Sequence, residues 1–451
     1  MKKTVSKFIF VFAFSALFAF SMLATDFSTF PQDENGTMLP PPPPGMNQSD
    51  KTGKMMPPGK PGNPGSNPGD AEKQFNGIIK VTSGTKTIEN QTIESDEDGM
   101  NAIFVSGNKT VVNVSNVKIS TKQNGSRGLY AAFGGTINAS DVEITTKGEH
   151  CAAFATDMGE GNVSVENAKA ETSGRGSPVI YSTGKISVKN IAGSAKNSEI
   201  AVIEGKNSLS IENSVLSGGA GLDGEVSAGI MVYQSMSGDA GIGTAVLSLR
   251  NSSLTNMADG PFIYCTNTSG IINLSRTKIE NKSGIFLQAS GNESRRGWGE
   301  KGANGAEIEL NAENQEISGE IKVDKISLLK INLKDGAKFT GFVDSAKNGT
   351  ADIEISKNAS LEFTEDSYFN KFSDSDSSFK NIKSNGHTIF YNKNNKENAK
   401  FKGKTISLDD GGKLVPTEYE TVKIEKKRVK NRPPRPEPNG FSFGAEPPRG
   451  F

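Results

Sequence analysis

Two cysteines, two histidines and a single tryptophan are all that 451 positions hold of those types. So small a supply leaves no His/Cys cluster of metal-binding spacing, and neither a nucleotide-binding glycine fingerprint nor a nucleophile elbow occurs. His150 and His387 stand in unrelated contexts and suggest no shared acid–base or metal role. Net charge is missing as well: 51 basic residues balance 51 acidic ones, which removes the electrostatic argument for a nucleic-acid partner. The sequence therefore assigns no catalytic residue, no cofactor and no metal.

What it does contain is a repeat. Between residues 112 and 279 a short alternation of apolar and polar residues, closed by a marked fifth residue, returns seven times. The copies start at Val112, Ile137, Val163, Ile186, Leu209, Leu247 and Ile272. They lie 23 to 26 residues apart, except for one spacing of 38. A near-constant period in the twenties with strand-type alternation marks a solenoid. A leucine-rich repeat is the competing solenoid, but neither its leucine consensus nor a helix per unit is visible.

The fifth position explains the coil. It holds Asn116, Asp141, Asn167, Asn190, Asn213 and Asn251, and then Arg276. Asn and Asp tolerate a left-handed backbone better than other non-glycine residues, so a sharp bend between two short strands is expected at each. Stacked bends form a structural ladder whose side chains bond from coil to coil, satisfying polar groups that would otherwise be buried unpaired. A second strand with small and aromatic residues precedes each bend, as in Leu129-Tyr-Ala-Ala-Phe133, Val179-Ile-Tyr181 and Ile230-Met-Val-Tyr233. Such near-continuous apolar runs suit parallel strands, and their aromatics are expected to stack in the core.

The marked bend and this period resemble the right-handed parallel β-helix of the pectate-lyase-like superfamily. Several stretches are also similar to a group of bacterial exported β-helix proteins described as adhesin-like or carbohydrate-binding-like. They are ATDMGEGN (155–162), SPVIYSTG (177–184), IEGKNS (203–208), YQSMSGDA (233–240), WGEKGANG (298–305) and LDDGGKLVP (408–416). The resemblance covers roughly residues 101–416. It implies an all-β, right-handed parallel β-helix and a surface or extracellular polysaccharide as partner. The group has no agreed catalytic residues to carry over.

The remaining organisation follows composition. Residues 1–24, with Lys2, Lys3 and Lys7 ahead of an apolar run, read as a signal peptide; the expected location is secreted or at the cell surface, with membrane contact only through that segment. Residues 25–73 read as a disordered Pro/Gly-rich linker, and 417–451 as a disordered Lys/Arg/Pro-rich tail. Residues 74–416 read as a β-helix of about eleven coils with a terminal cap that blocks edge pairing. Cys151 and Cys265 fall four coils apart, about 19 Å along the axis, too far for a disulfide.

Two loops interrupt the rhythm, residues 217–244 and 291–305, and binding sites in solenoids usually reside on such loops. The candidate ligand-binding residues are Tyr233, Gln234, Asp239, Arg295, Arg296 and Trp298, an aromatic-plus-polar set suited to gripping a sugar. The bland alternative is that both loops fold onto the coil, with Trp298 buried. The leading expectation is an exported, non-catalytic rod acting in adhesion or glycan binding. The alternative is a carbohydrate-active enzyme, a polysaccharide lyase or glycoside hydrolase. Its nearest acidic candidates are Asp157, Glu160, Glu204 and Asp239, and its basic ones Arg175, Arg250, Arg295 and Arg296; none clusters in sequence. Three or more carboxylates converging with a basic group in an open groove would favour the enzyme.

Overall fold

A computed structural model describes residues 75–220, 226–235, 237–295 and 298–418. The signal segment, the whole linker, the tail beyond residue 418 and Arg296 lie outside the described residues. The rest is a parallel β-helix with a single short 3-10 helix, Lys396–Phe401, near its end. Each coil gives one strand to a thirteen-stranded parallel sheet that runs from Asn76–Val81 to Ile382–Lys383. It gives its other strands to a second, fifteen-stranded sheet. Thirteen strands at ~4.8 Å spacing stack to about 58 Å. This corrects the expectation of about eleven coils. The extra coils lie toward the two ends: before Val111–Thr121, where Asn90 makes the same bend with φ of 54° ahead of the seven copies, and beyond Asn314, where Leu328–Leu333 and Thr350–Ile355 pair in register without a left-handed asparagine.

The bend works by resetting the phase of a strand. In Val111–Thr121 the buried positions are Val112 and Val114, then Val117, Ile119 and Thr121. A straight strand turns alternate side chains to one face, so Val117 would point outward. Asn116 sits between the two sets with φ of 51°, and that one left-handed residue turns the second arm inward again. Thr136–Thr146, Asn162–Thr172 and Lys185–Ala195 repeat the device at Asp141, Asn167 and Asn190, with φ of 55°, 55° and 56°. Asn213, Asn251 and Arg276 continue it at 49°, 49° and 47°. Pairing of Ser115 with Ser140 and of Val117 with Val142 sets Asn116 beside Asp141, and the next pairs set Asn167 and Asn190 in line.

The ladder lies on the surface, so it does not rescue buried polar groups as the sequence suggested; all of its members are exposed. Its bonds are correspondingly partial: Asn116 Nδ2 donates to Asn90 Oδ1 at 2.8 Å and Asn190 Nδ2 to Asn167 Oδ1 at 3.2 Å. What these residues share is backbone conformation. A different set of polar side chains closes the next corner. The hydroxyls of Ser95, Thr121, Thr146 and Thr172, all buried, donate to the carbonyls of Met100, Ser126, Cys151 and Ser177, five residues on in each coil.

Inside, Ile, Val and Leu from both sheets form one continuous core, from Val81 to Leu414. Each such side chain contributes about 1.5–3 kcal/mol when fully buried. Cys151 and Cys265 are both buried and unbonded. Burial pushes the Cys151 thiol up to about 11 and raises Cys265 as well, which leaves both as small hydrophobes. The stack ends in a four-stranded sheet. Ile406–Ser407 runs antiparallel to Lys413–Thr417, and that reversal stops the parallel ladder from continuing.

Candidate functional site

The thirteen-stranded sheet has two faces, and its aromatics divide between them: Phe154, Phe286, Phe339 and Phe363 lie in the core as expected, whereas others lie on the outer face. Ile103 and Val105 point into the core, so Phe104 between them points out. Register carries that outward position from Phe104 to Tyr130, Ala155, Tyr181, Val202, Met231 and Tyr264. A neighbouring outward file includes Asp157, one coil on from Ala132, and later Glu204 and Tyr233. Most of these residues are nevertheless buried, because loops fold down over this face and pack with them in two separate clusters.

Between the loops lies a groove of about 660 Å³. Its walls draw on Asp98, Arg127, His150, Asp157, Tyr181, Glu199, Glu204, Tyr233, Asp239 and Trp298. Leaving Trp298 aside, these come from six successive coils. The groove therefore runs along the stack for about 24 Å at the usual strand spacing.

Arg127 and Asp157 form an ion pair in this wall, Nη2 to Oδ2 at 3.1 Å, with side chains 12% and 6% exposed. The guanidinium also lies over the Tyr130 ring, 4.5 Å from its centroid, and the Met158 amide donates to Asp157 Oδ1 at 3.0 Å. Burial opposes the charge on Arg127, but Tyr130 and Asp157 outweigh it and hold the group protonated. A pair this buried survives only with its geometry satisfied, and loss of either partner strands the other.

Farther along, Glu204 is a hub. Tyr181 Oη and Tyr233 Oη donate to its Oε2 at 3.0 and 2.9 Å, and the two phenols are 3.3 Å apart. Its Oε1 accepts from the amide of Ser235 at 3.3 Å and from the Ser235 hydroxyl. Burial pushes the Glu204 carboxyl above its ordinary value against the pull of Ser235, Tyr233 and Tyr181, and nearby Asp239 adds to the rise. Burial drives both phenols well above theirs. Ser235 extends the network, its hydroxyl lying 2.6 Å from that of Ser237, which accepts from the Asp239 amide at 3.2 Å. The strand end, the hub and the loop bearing Asp239 are thus one hydrogen-bonded unit.

The second loop brings Trp298. Its ring lies 4.7 Å from that of Tyr233, and the residue is 7% exposed. Asn292 Nδ2 and Asn304 Nδ2 both donate to the Trp298 carbonyl, at 3.0 and 3.1 Å, clamping the loop. Gly299, with φ of 74°, makes the turn; a Cβ there would stand 2.4 Å from Asn267 Oδ1, so no other residue fits without displacement.

The expected binding residues separate in the folded chain. Tyr233, Asp239 and Trp298 line the groove. Gln234 does not: it is buried, and its Nε2 donates to the carbonyls of Ser235 and Ala240 as a loop tie. Arg295 is exposed and outside the groove wall, and Arg296 lies outside the described residues. Of the acidic set, Asp157, Glu204 and Asp239 converge, although nothing in their sequence spacing suggested it; Glu160 instead pairs with Lys206 at the surface, 2.9 Å away. Arg175 sits 3.6 Å from Glu149, next to groove-lining Gly176 without itself lining the wall, and His387 lies 3.9 Å from Asp366. Sequence reasoning missed Arg127, Glu199 and Asp98 and set His150 aside, although all four reach the groove. The signal available for them was register. Counting 24 and then 23 residues along from Asp157 lands on Tyr181 and Glu204, and the insertion puts Tyr233 29 residues farther on.

Comparison with protein-family models, with curated proteins and with solved structures gave no match for this chain. What the structure shows is the parallel β-helix itself, and no comparison supports membership of the pectate-lyase-like superfamily or of the bacterial exported group.

Proposed function

We propose that this chain is an exported β-helix that binds an extended glycan along the groove, in the manner of a surface or secreted recognition module. The observation that carries this reading is the length of the groove. A site drawn from six coils suits a linear polymer better than a compact ligand. Its composition agrees: the edge of the Tyr233–Trp298 pair, each residue 7% exposed, reaches the groove as a narrow aromatic platform, and the carboxyl groups beside it accept hydrogen bonds from hydroxyls. The platform is fixed before any ligand arrives, since the Glu204 hub and the Asn292–Asn304 clamp hold both rings.

The experiment is a glycan array probed with the full chain and with Trp298→Ala. The expected outcome is retention of linear oligosaccharides by the parent and its loss in the variant at an unchanged fold, checked by circular dichroism. Retention of none, or equal retention by both proteins, would remove the proposal. The convergence of Asp157, Glu204 and Asp239 supports a second reading, glycoside hydrolysis. Release of reducing ends from a retained oligosaccharide, abolished in Glu204→Gln, distinguishes it from binding alone.

A further inference from the structure

We propose that the groove is blind and takes the end of a glycan chain, its terminal sugar seated against the Tyr233–Trp298 pair, and does not grip a chain that runs through. The inference rests on the glycan reading and adds to it which part of the polymer is recognised. Register locates the closed end. The strand Ile230–Tyr233 presents Met231 and Tyr233 outward, and both line the groove. One coil on, parallel pairing puts Tyr264 and Thr266 at the same two positions. A groove that continued along the sheet would have those two side chains as its floor. They are instead 1% and 0% exposed, and neither lines it.

What covers them is the loop that carries Trp298. Tyr264 Oη donates to the Gly291 carbonyl at 3.3 Å, and Asn292 Nδ2 donates to Thr266 Oγ1 at 2.8 Å. The loop thus crosses both outward files and bonds to the sheet at each of them. It is held from the far side as well, since Asp324 Oδ2 accepts from the Gly291 amide at 2.9 Å. Within it, Asn304 Nδ2 donates to the Asn292 carbonyl at 2.9 Å, and the Trp298 ring packs in one buried cluster with Tyr233 and Tyr264. Lifting the loop would strand these polar groups, so the barrier is a fixed part of the site. Beyond it the outward file resumes at Gln288 and Lys322, which line a separate depression of about 600 Å³ that shares no described residue with the groove. At the other end of the groove Asp98 and His150 are exposed. A chain whose body lies toward those two residues therefore stops at Trp298, where the ring end that has no glycosidic neighbour meets the aromatic edge.

Trp298 is the only tryptophan in the chain, so its fluorescence reports on the closed end alone. The test is a fluorescence titration of the full chain with dodecamers of three soluble linear glycans, a β-glucan, a xylan and a galacturonan. Each is used unlabelled, with a bulky aliphatic cap on the reducing end, with the same cap on the non-reducing end, and with both. A dodecamer is long enough to fill the groove with both of its ends outside, so internal binding tolerates all three caps. For the glycan that binds, we expect one of the two single caps to weaken binding at least about tenfold and the other to change it less than about twofold. The doubly capped form should be lost with the first. A doubly capped dodecamer that binds as tightly as the unlabelled one would overturn the blind groove while leaving glycan recognition intact. Loss with either single cap would also overturn it, because a blind groove meets only one end. Binding of none of the three unlabelled dodecamers would overturn both readings.

Discussion

The asparagine bend and the groove face belong to the same coils, yet the bend keeps one kind of residue from coil to coil while the groove changes its residue at every step. Asn167 and Asn190 solve one backbone problem twice, with φ of 55° and 56°, and stay in solvent. In the same two coils the outward groove positions are Asp157 and Tyr181, buried or half-buried and tied to partners in other coils. Repetition here marks a conformational requirement. Variation in register marks a surface where each coil contributes a different group. The two regions should therefore fail differently when altered.

The sharpest contrast is in stability. Arg127→Met should cost about 3–5 kcal/mol, since it strands Asp157 without its cation in a nearly closed wall. Adding Asp157→Asn to it should recover part of that loss, and urea unfolding of both variants measures the two values. A cost below about 0.5 kcal/mol would mean that water reaches the pair and that the groove wall is no different from the ladder.

At the bend the expected effect is smaller. Asn190→Ala should cost about 1–2 kcal/mol, the penalty of a left-handed residue with a Cβ. Asn190→Gly should stay within about 0.5 kcal/mol, because glycine needs no help there. If both cost the same, the side-chain bond to Asn167 matters more than the backbone.

A pH measurement separates the regions by sign. The folded Glu204 carboxyl lies above its ordinary value of 4.5, so the native state holds that proton more tightly than the unfolded chain does. Its contribution is complete below the unfolded value and is lost as pH rises through the folded one. The stability difference between the parent and Glu204→Gln should therefore shrink as pH climbs above 4.5. A difference that stays flat with pH, or one that grows, contradicts the burial argument.

The least effect belongs to the ladder's flank. Lys118 and Glu143 lie 3.4 Å apart with side chains 72% and 55% exposed, and Lys118→Ala should change stability by less than about 0.5 kcal/mol in denaturant unfolding.

How much of this could be read from the chain follows the same division. The coil, its period and its bends were readable because Val112, Val114 and Val117 and their successors repeat a phase that one left-handed residue resets. The two end regions were undercounted because Asn90 lies ahead of the seven matching copies and the coils beyond Asn314 pair without the marker. The inward or outward sense of Phe104 and Tyr130 was misread, since an apolar run gives no alternation when loops bury its outer side too. Tyr233, Asp239 and Trp298 were found through their loops. Arg127 was overlooked because it sits in an unbroken coil, where nothing local distinguishes it from a solvated surface residue. Only register brings it beside Asp157, thirty residues away.

The central claim, that recognition lives on the varied face and not on the repeated edge, is tested most directly by hydrogen–deuterium exchange of the full chain with and without a linear oligosaccharide that it retains. The account predicts slowed exchange at backbone amides of the two loops, around residues 237–243 and 298–305, with no change at the bends of Asn116, Asp141, Asn167 and Asn190. Protection at those bends, with the loops unchanged, would contradict it.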